Sequence, residues 1–172
     1  GFGGIGRECV VALLAHGANV AFTYVEGQEP ADDVATMLAE NPEHLSAHTL
    51  DLQSVASIRQ CLSDAKSKWG RVDILVNNAA VGSATVSAFS DDAAGQDTAM
   101  LNINADGILK TCQAYLELMQ DDIGDFPLKI INLSSVGGGI GVFPGFRLSD
   151  GMSKAAVAHL TRQMAAELTD RM

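Results

Sequence analysis

Positive charge is scarce in this chain. Eleven lysines and arginines face 21 aspartates and glutamates over 172 residues, a formal net charge of -10. Nucleic-acid binding needs clustered cations to displace counterions, so a phosphate backbone is excluded as a partner. Long apolar runs are missing as well: stretches such as 9–15 fall far below the roughly 20 residues that a spanning helix needs, and no membrane partner is expected. The three cysteines, Cys9, Cys61 and Cys112, are odd in number, far apart and set in segments patterned as helices. That spacing argues against a disulfide framework or a Cys-x-x-Cys metal site and points to reduced cytoplasm. His16, His44, His48 and His159 lack zinc-ligand spacing, so no metal is expected. Tyrosine is nearly absent, with only Tyr24 and Tyr115. An initiating Met is missing too, and the helical pattern runs to Met172 without a stop signal, as expected of a piece of a longer chain.

What is present is a chain that is 47% hydrophobic, enough for one sizeable core and too short for two comfortable ones, so a single domain over 1–172 is expected. Val10, Leu13 and Leu14 recur with helical spacing before Gly17, which predicts a helix over about 5–16. Residues 19–25 read as a buried strand, 31–40 as a helix closed by Asn41-Pro42, and 45–50 as the next strand. Val55, Ile58, Leu62, Ala65 and Trp69 form one stripe, with Ser54 as N-cap and Gly70 as stop. A β-rich run at 72–76, a long helix over about 101–119, a strand at 128–133 and a last helix over about 151–171 complete the pattern. Strands alternating with helices of this length predict βαβ crossovers: an α/β fold with a Rossmann-like, doubly wound parallel sheet covered on both faces.

Gly1-Phe2-Gly3-Gly4-Ile5-Gly6 opens the first helix. Missing side chains let the backbone approach a pyrophosphate, and the exposed N–H groups and helix dipole meet its charge. Such a turn also serves tight strand–helix packing, so alone it leaves both readings open.

Together with the segments that follow, this cluster resembles the short-chain dehydrogenase/reductase family, whose fingerprint is Thr-Gly-x-x-x-Gly-x-Gly. Gly4 and Gly6 match its second and third glycines. The resemblance places the Thr-Gly pair and the first strand before residue 1, and that strand between the strands at 19–25 and 72–76. Without it those neighbours would stand two strand spacings apart, roughly 10 Å, with unpaired backbone on both edges, and the chain alone should fold poorly. The resemblance implies a nicotinamide coenzyme, NAD or NADP, held by Gly3, Gly4, Ile5, Gly6, Tyr24, Asp51, Leu52, Asn78, Ala79, Ala80 and Lys154. Asn77-Asn78-Ala79-Ala80 matches the family's Asn-Asn-Ala-Gly turn, and its amides can equally bond strand ends. Asp51 matches an adenine contact and reads as well as a helix-approach carboxylate. Tyr24 occupies the family's usual acidic position; Glu26, two residues on, would repel a 2′-phosphate, and Gly3 replaces a basic residue common in NADP-using members. The reading leans to NAD.

The family's Asn–Ser–Tyr–Lys set is matched at three positions: Asn104 in Asn-Ala-Asp-Gly107, Ser135 after Ile131-Asn132-Leu133, and Lys154 in Ser-Lys-Ala-Ala. The tyrosine should stand four residues before Lys154, one helical turn away, and that residue is Asp150. An ordinary aspartate has a pKa of about 3.9, so near neutrality it lacks the proton a reductase must donate. Three readings stay open: an oxidoreductase acting on a small alcohol or carbonyl with altered acid–base machinery, Asp150 serving as base in alcohol oxidation or acting through water; a nicotinamide-binding subunit without turnover; or an assembly subunit. The two long helices are those the resemblance implies for a homodimer or homotetramer.

Overall fold

The computed structural model describes residues 3–27, 31–121 and 127–168. Helix α1 (Gly4–Ala15) runs into strand β1 (Val20–Tyr24), helix α2 (Ala31–Glu40), strand β2 (Leu45–Thr49), helix α3 (Val55–Trp69) and strand β3 (Ile74–Asn77). Helices α4 (Ala93–Leu101) and α5 (Gly107–Met119) follow, joined by a π-helical turn at Asn102–Asp106, then strand β4 (Lys129–Asn132) and helix α6 (Leu148–Glu167). Local chemistry accounts for the ends of α3. The Ser54 hydroxyl accepts from Ser57 N at 3.2 Å, and Gly70 closes the last turn at φ +84°, where a side chain would be strained. Ile58, Leu62 and Ala65 of the expected stripe are buried together with Cys61, whereas Val55 at the helix start is exposed and Trp69 at its end is half-buried.

Two expectations shift. The long helix starts at Ala93 rather than near 101, because Asp92 caps a further segment through Gly95 N at 2.8 Å and the π turn carries the helix on without a break. Helix α6 starts at Leu148, so Asp150 lies in its first turn, and it buries Val157 with Leu160 and Met164 beside it, while Ala156 faces out. The expected end at Arg171 falls outside the described residues.

All strand pairing is parallel: β1 with β2 from Val20–Leu45 to Tyr24–Thr49, and β3 with β4 from Ile74–Lys129 to Asn77–Asn132. The fold is therefore α/β with Rossmann-like crossovers, yet among the described residues its sheet stands as two separate pairs. Between them lies a cavity of about 550 Å³. Residues 20–23 of β1 and 74–77 of β3 form two of its walls, Gly6, Cys9, Val10 and Leu13 of α1 another, and Ile58, Leu62, Ile108 and Thr111 the remainder. Neither β2 nor β4 reaches it, so the spatial order is β2-β1, gap, β3-β4. Ile74 in β3 is 44% exposed, which fits a strand with an open edge. Arg71 at the rim pairs with Asp73 at 2.5 Å, but its buried Nη2 has no hydrogen-bond partner among the described residues. The apolar residues are accordingly split. One cluster joins α1, β1, α2 and β2 around Phe22 and Leu45; the larger joins α3, α4, α5 and the loop after β3 around Ile58, Val86, Met100, Tyr115 and Met119.

Unpaired strand edges facing an apolar slot leave both backbone donors and apolar surface unsatisfied. Residues 1–172 expressed alone should melt early and bind a dye for exposed apolar surface. A five- or six-residue β-branched strand fused ahead of Gly1 should raise the melting midpoint by several degrees. Equal midpoints with and without that strand would show that the gap is not closed by pairing.

Candidate active site

The C-terminal ends of β3 and β4, the π turn and the first two turns of α6 converge on one region. At the end of β3, Asn77 is 7% exposed and donates to Asn132 Oδ1 at 2.8 Å and to Cys112 Sγ at 3.4 Å, while Asn132 donates to Thr161 Oγ1 at 3.0 Å. The first asparagine of the Asn-Asn-Ala-Ala run thus ties strand ends together. Asn78 is half-buried at the gap, Ala79 packs on the larger core and Ala80 is exposed.

Asn104 is fully buried in the π turn. Its amide donates to Val81 O and accepts from Val81 N, both at 2.8 Å, and a longer bond of 3.3 Å reaches Ser153 Oγ. The extra residue in a π turn swings a side chain out of the usual helical row, and here it turns Asn104 toward the loop after β3. Gly107 follows because a Cβ there would come within 2.9 Å of Leu52 Cβ and Leu52 O. Leu52 itself sits in the larger core at 8% exposure.

Ser135 closes β4 as an exposed residue whose hydroxyl accepts from Gly137 N at 3.2 Å. The glycines after it permit close approach of that turn to α6: a Cβ on Gly138 would meet the Lys154 carbonyl carbon at 2.8 Å, and one on Gly151 would meet Gly137 O at 3.1 Å. Ser134 Oγ donates to Lys154 O at 2.8 Å, and Lys154 Nζ donates to Leu133 O at 3.1 Å. The structure therefore brings together the segments that carry Asn104, Ser135 and Lys154, through Ser153, Ser134 and Gly138. Burial pushes the Lys154 ammonium below the ordinary lysine range, and the Asp150 carboxylate opposes that shift.

Asp150 turns toward the loop after β3. Its Oδ2 accepts from Ser83 Oγ at 3.0 Å and from Ser83 N at 3.3 Å. Arg147, just ahead of α6, donates through Nε to Asp97 Oδ1 at 2.8 Å and through its terminal nitrogens to Gln96 Oε1 at 3.0 Å and Ala93 O at 2.7 Å. Ser149 adds a bond to Asp97 Oδ1 at 2.6 Å, and the Arg147 and Ser149 bonds hold the Asp97 carboxyl below its usual range. Ser83, Arg147 and Asp97 thus fix the start of α6, and no spacing rule in the sequence marks them. Neither tyrosine substitutes for Asp150. Tyr115 is fully buried with its hydroxyl on Val72 O at 2.9 Å and its acidity suppressed by burial, and Tyr24 ends β1 at the other pair of strands. Burial raises Cys61 and Cys112 to about 11, so neither is a thiolate nucleophile near neutrality.

For the coenzyme residues the geometry has room. Added Cβ atoms at Gly3 and Gly4 would meet nothing within 4 Å, and among the described residues no side chain caps α1 and its first turn carries no acid. Ile5 is 65% exposed beside them and Gly6 is buried at the gap. Tyr24 is the last residue of β1, and Glu26 lies exposed in the turn that follows. Asp51 Oδ1 accepts from Gln53 N at 2.9 Å while Asp51 N donates to Ser57 Oγ at 3.0 Å, so one of its oxygens is used in the approach to α3. No described helix is long and apolar enough to cross a membrane.

Comparison with known proteins places this geometry in context. The family profile described as Enoyl-(Acyl carrier protein) reductase matches residues 2–172. The chain is 30% identical over 164 residues to Oxidoreductase UcpA of Escherichia coli (strain K12), covering 95% of this chain and 59% of that relative. It is 29% identical over 168 residues to the 3-oxoacyl-(acyl-carrier-protein) reductase of Synechocystis sp., covering 98% of this chain and 65% of the relative. Among solved structures, the Pseudomonas aeruginosa RhlG/NADP active-site complex superposes with a TM-score of 0.80 at 29% identity, over 98% of this chain and 64% of that one. A short-chain dehydrogenase/reductase from Serratia marcescens BCRC 10948 does so with a TM-score of 0.77 at 29% identity, over 98% and 65%. The chain thus spans roughly three fifths of the length of the curated relatives it matches.

Removing the Asn104 amide would orphan a buried N–H and a buried C=O of Val81, each worth about 1–3 kcal/mol. Asn104→Ala should therefore lower stability by about 2 kcal/mol or more in urea titrations and speed amide exchange across 81–86. Unchanged exchange there would show that the loop does not depend on this clamp.

Proposed function

The chain belongs to the short-chain dehydrogenase/reductase family, and from that premise we propose that it transfers hydride between a nicotinamide coenzyme and a small alcohol or carbonyl substrate, with Asp150 as an atypical acid–base group. One observation carries the reading: the half-buried Lys154 ammonium donates to Leu133 O at the end of β4, on a turn of α6 whose Lys154 carbonyl Ser134 bonds and whose Ser153 is reached by Asn104. A charge kept partly out of water against its own desolvation cost, where β4, α6 and the π turn meet, supports a working site.

Gly3, Gly4, Ile5 and Gly6 would meet the coenzyme's pyrophosphate, Tyr24 its adenosine ribose, Asp51 and Leu52 its adenine, Asn78, Ala79 and Ala80 its nicotinamide half, and Lys154 the nicotinamide ribose. The bound coenzyme supplies or accepts the hydride. Glu26 at the end of β1 disfavours a 2′-phosphate, which supports NAD over NADP, although the Pseudomonas relative is described with NADP. Ser135 Oγ, exposed at the end of β4, holds the substrate oxygen. Lys154 steadies negative charge there, and Asp150, standing where the family's tyrosine would, takes a proton from the alcohol rather than giving one. Alcohol oxidation is therefore the favoured direction. Helices α5 and α6 carry the proposed homodimer or homotetramer contacts, in a single cytoplasmic domain. The Asp150–Ser83 bonds also favour a second reading, a nicotinamide-binding subunit without turnover.

Steady-state assays of the whole polypeptide with NAD, NADP and panels of alcohols and carbonyls separate these. Oxidation should exceed reduction; Lys154→Ala should weaken coenzyme binding and lower turnover about 100-fold, and Asp150→Tyr should increase reduction. Because the lysine's acidity is increased by burial, its charge is present at neutral pH and lost as pH rises through a value below the ordinary 10.4, so turnover should fall on that alkaline limb. Lys154→Arg should move the limb upward. Coenzyme binding with no turnover in either direction leaves the second reading, and no coenzyme binding removes both.

A further inference from the structure

We propose that Ser83 is the positioning residue of this site: it holds one carboxylate oxygen of Asp150 and so leaves the other as the proton acceptor for alcohol oxidation. The inference rests on the oxidoreductase reading above.

The direction of each proton follows from the bonding. Ser83 Oγ lies 3.0 Å from Arg147 N, a group that can only donate, so the hydroxyl accepts there. Its single proton is then free to point at Asp150 Oδ2, also 3.0 Å away, and Ser83 N–H points at the same oxygen from 3.3 Å. Two donors on Oδ2 leave no place for a proton of its own. Any proton that Asp150 exchanges must therefore sit on Oδ1, which makes no hydrogen bond with the described residues.

Ser83 can act as a fixed point because its own loop is fixed. Asn104 clamps both backbone groups of Val81, Gly82 N donates to Thr85 Oγ1 at 3.0 Å, Thr85 N and Val86 N both donate to Gly82 O at 3.0 Å, and Val86 is fully buried. On the other side, Arg147 is held by Asp97, Gln96 and Ala93. Asp150 is thus oriented by two pinned segments, and a misplacement of about 1 Å at a reacting group can cost about 100-fold in rate. In the step itself, the alcohol O–H proton passes to Asp150 Oδ1 as the C–H bond breaks. Its electron pair leaves as hydride to the oxidised nicotinamide, and the carbon–oxygen bond becomes a carbonyl. The proton is then released to solvent.

The test compares parent, Ser83→Ala and Ser83→Thr in the whole polypeptide, with NAD and a panel of secondary alcohols. Coenzyme affinity is read from protein fluorescence quenching and kcat is followed against pH. Ser83→Ala should lower kcat about 10- to 100-fold and displace the acid limb of the profile, with coenzyme affinity little changed. Ser83→Thr, which restores a hydroxyl, should recover most of the rate. Should Ser83→Ala fold poorly, Asp150→Ala supplies a second measurement, since loss of the acceptor should speed exchange of the Ser83 amide. A Ser83→Ala enzyme with parental kcat and pH profile overturns the proposal and leaves the oxidoreductase reading standing. A parent that binds NAD and reduces carbonyls but oxidises no alcohol overturns the role of Oδ1 together with the favoured direction and leaves hydride transfer standing, and one that binds no coenzyme overturns both.

Discussion

The two hydrogen bonds between the Asn104 amide and the backbone of Val81 are the constraint on which the site depends. They make a side chain behave like a strand neighbour, joining a helix interior to the loop that leaves β3. Through Ser153 the same amide touches α6 one residue from Lys154, so three separate stretches of chain are held at one buried nitrogen and oxygen. A regular helix would carry residue 104 on another row. The π turn is what makes the clamp possible, and Gly107 is what lets the helix, so widened, still lie against Leu52.

Around that clamp the site is arranged by close approach and by polar ties, with little apolar enclosure. The turn after β4 reaches α6 because Gly138 and Gly151 have no side chains, and Ser134 then bonds the Lys154 carbonyl. Charge has been managed unevenly. Arg147 meets Asp97 and spreads its remaining donors over Gln96 and Ala93, whereas Lys154 is left with one backbone carbonyl and a shifted acidity. A fully satisfied cation stabilises the approach to α6; a poorly satisfied one is available to a ligand. The sheet shows the same contrast at larger scale, since β1 with β2 and β3 with β4 pair fully while the edges between them face an apolar gap.

Much of the architecture was legible along the chain. The centre of the α3 stripe, its Ser54 cap and the Gly70 stop appear as read, and the four strand segments lie within a residue or two of their expected ends, because each signal is local to a single element. The start of α6 was less legible. Its first turn is fixed by Arg147 and Ser149 reaching Asp97, far away in sequence, rather than by a capping side chain nearby. The buried face of that helix was also misjudged by one residue, Val157 in place of Ala156, since a helix with small residues on several rows offers little periodic contrast. For the site, Asn104, Ser135, Asp150 and Lys154 could be marked by spacing and resemblance. Ser83 could not, because nothing about a serine after Ala80-Val81-Gly82 announces a partner 67 positions away.

By itself the sequence determined the alternation of strands and helices, the glycine-led first helix, the parallel α/β plan and the absence of a tyrosine one turn before Lys154, since each follows from periodicity, turn chemistry or residue identity over a few neighbours. Only the tertiary structure decided that Asn104 turns inward at a π turn and that Asp150 is held by Ser83. Those outcomes depend on which backbone and side-chain groups meet across long separations, and hydrogen bonds between distant segments leave no period or spacing in the chain that makes them.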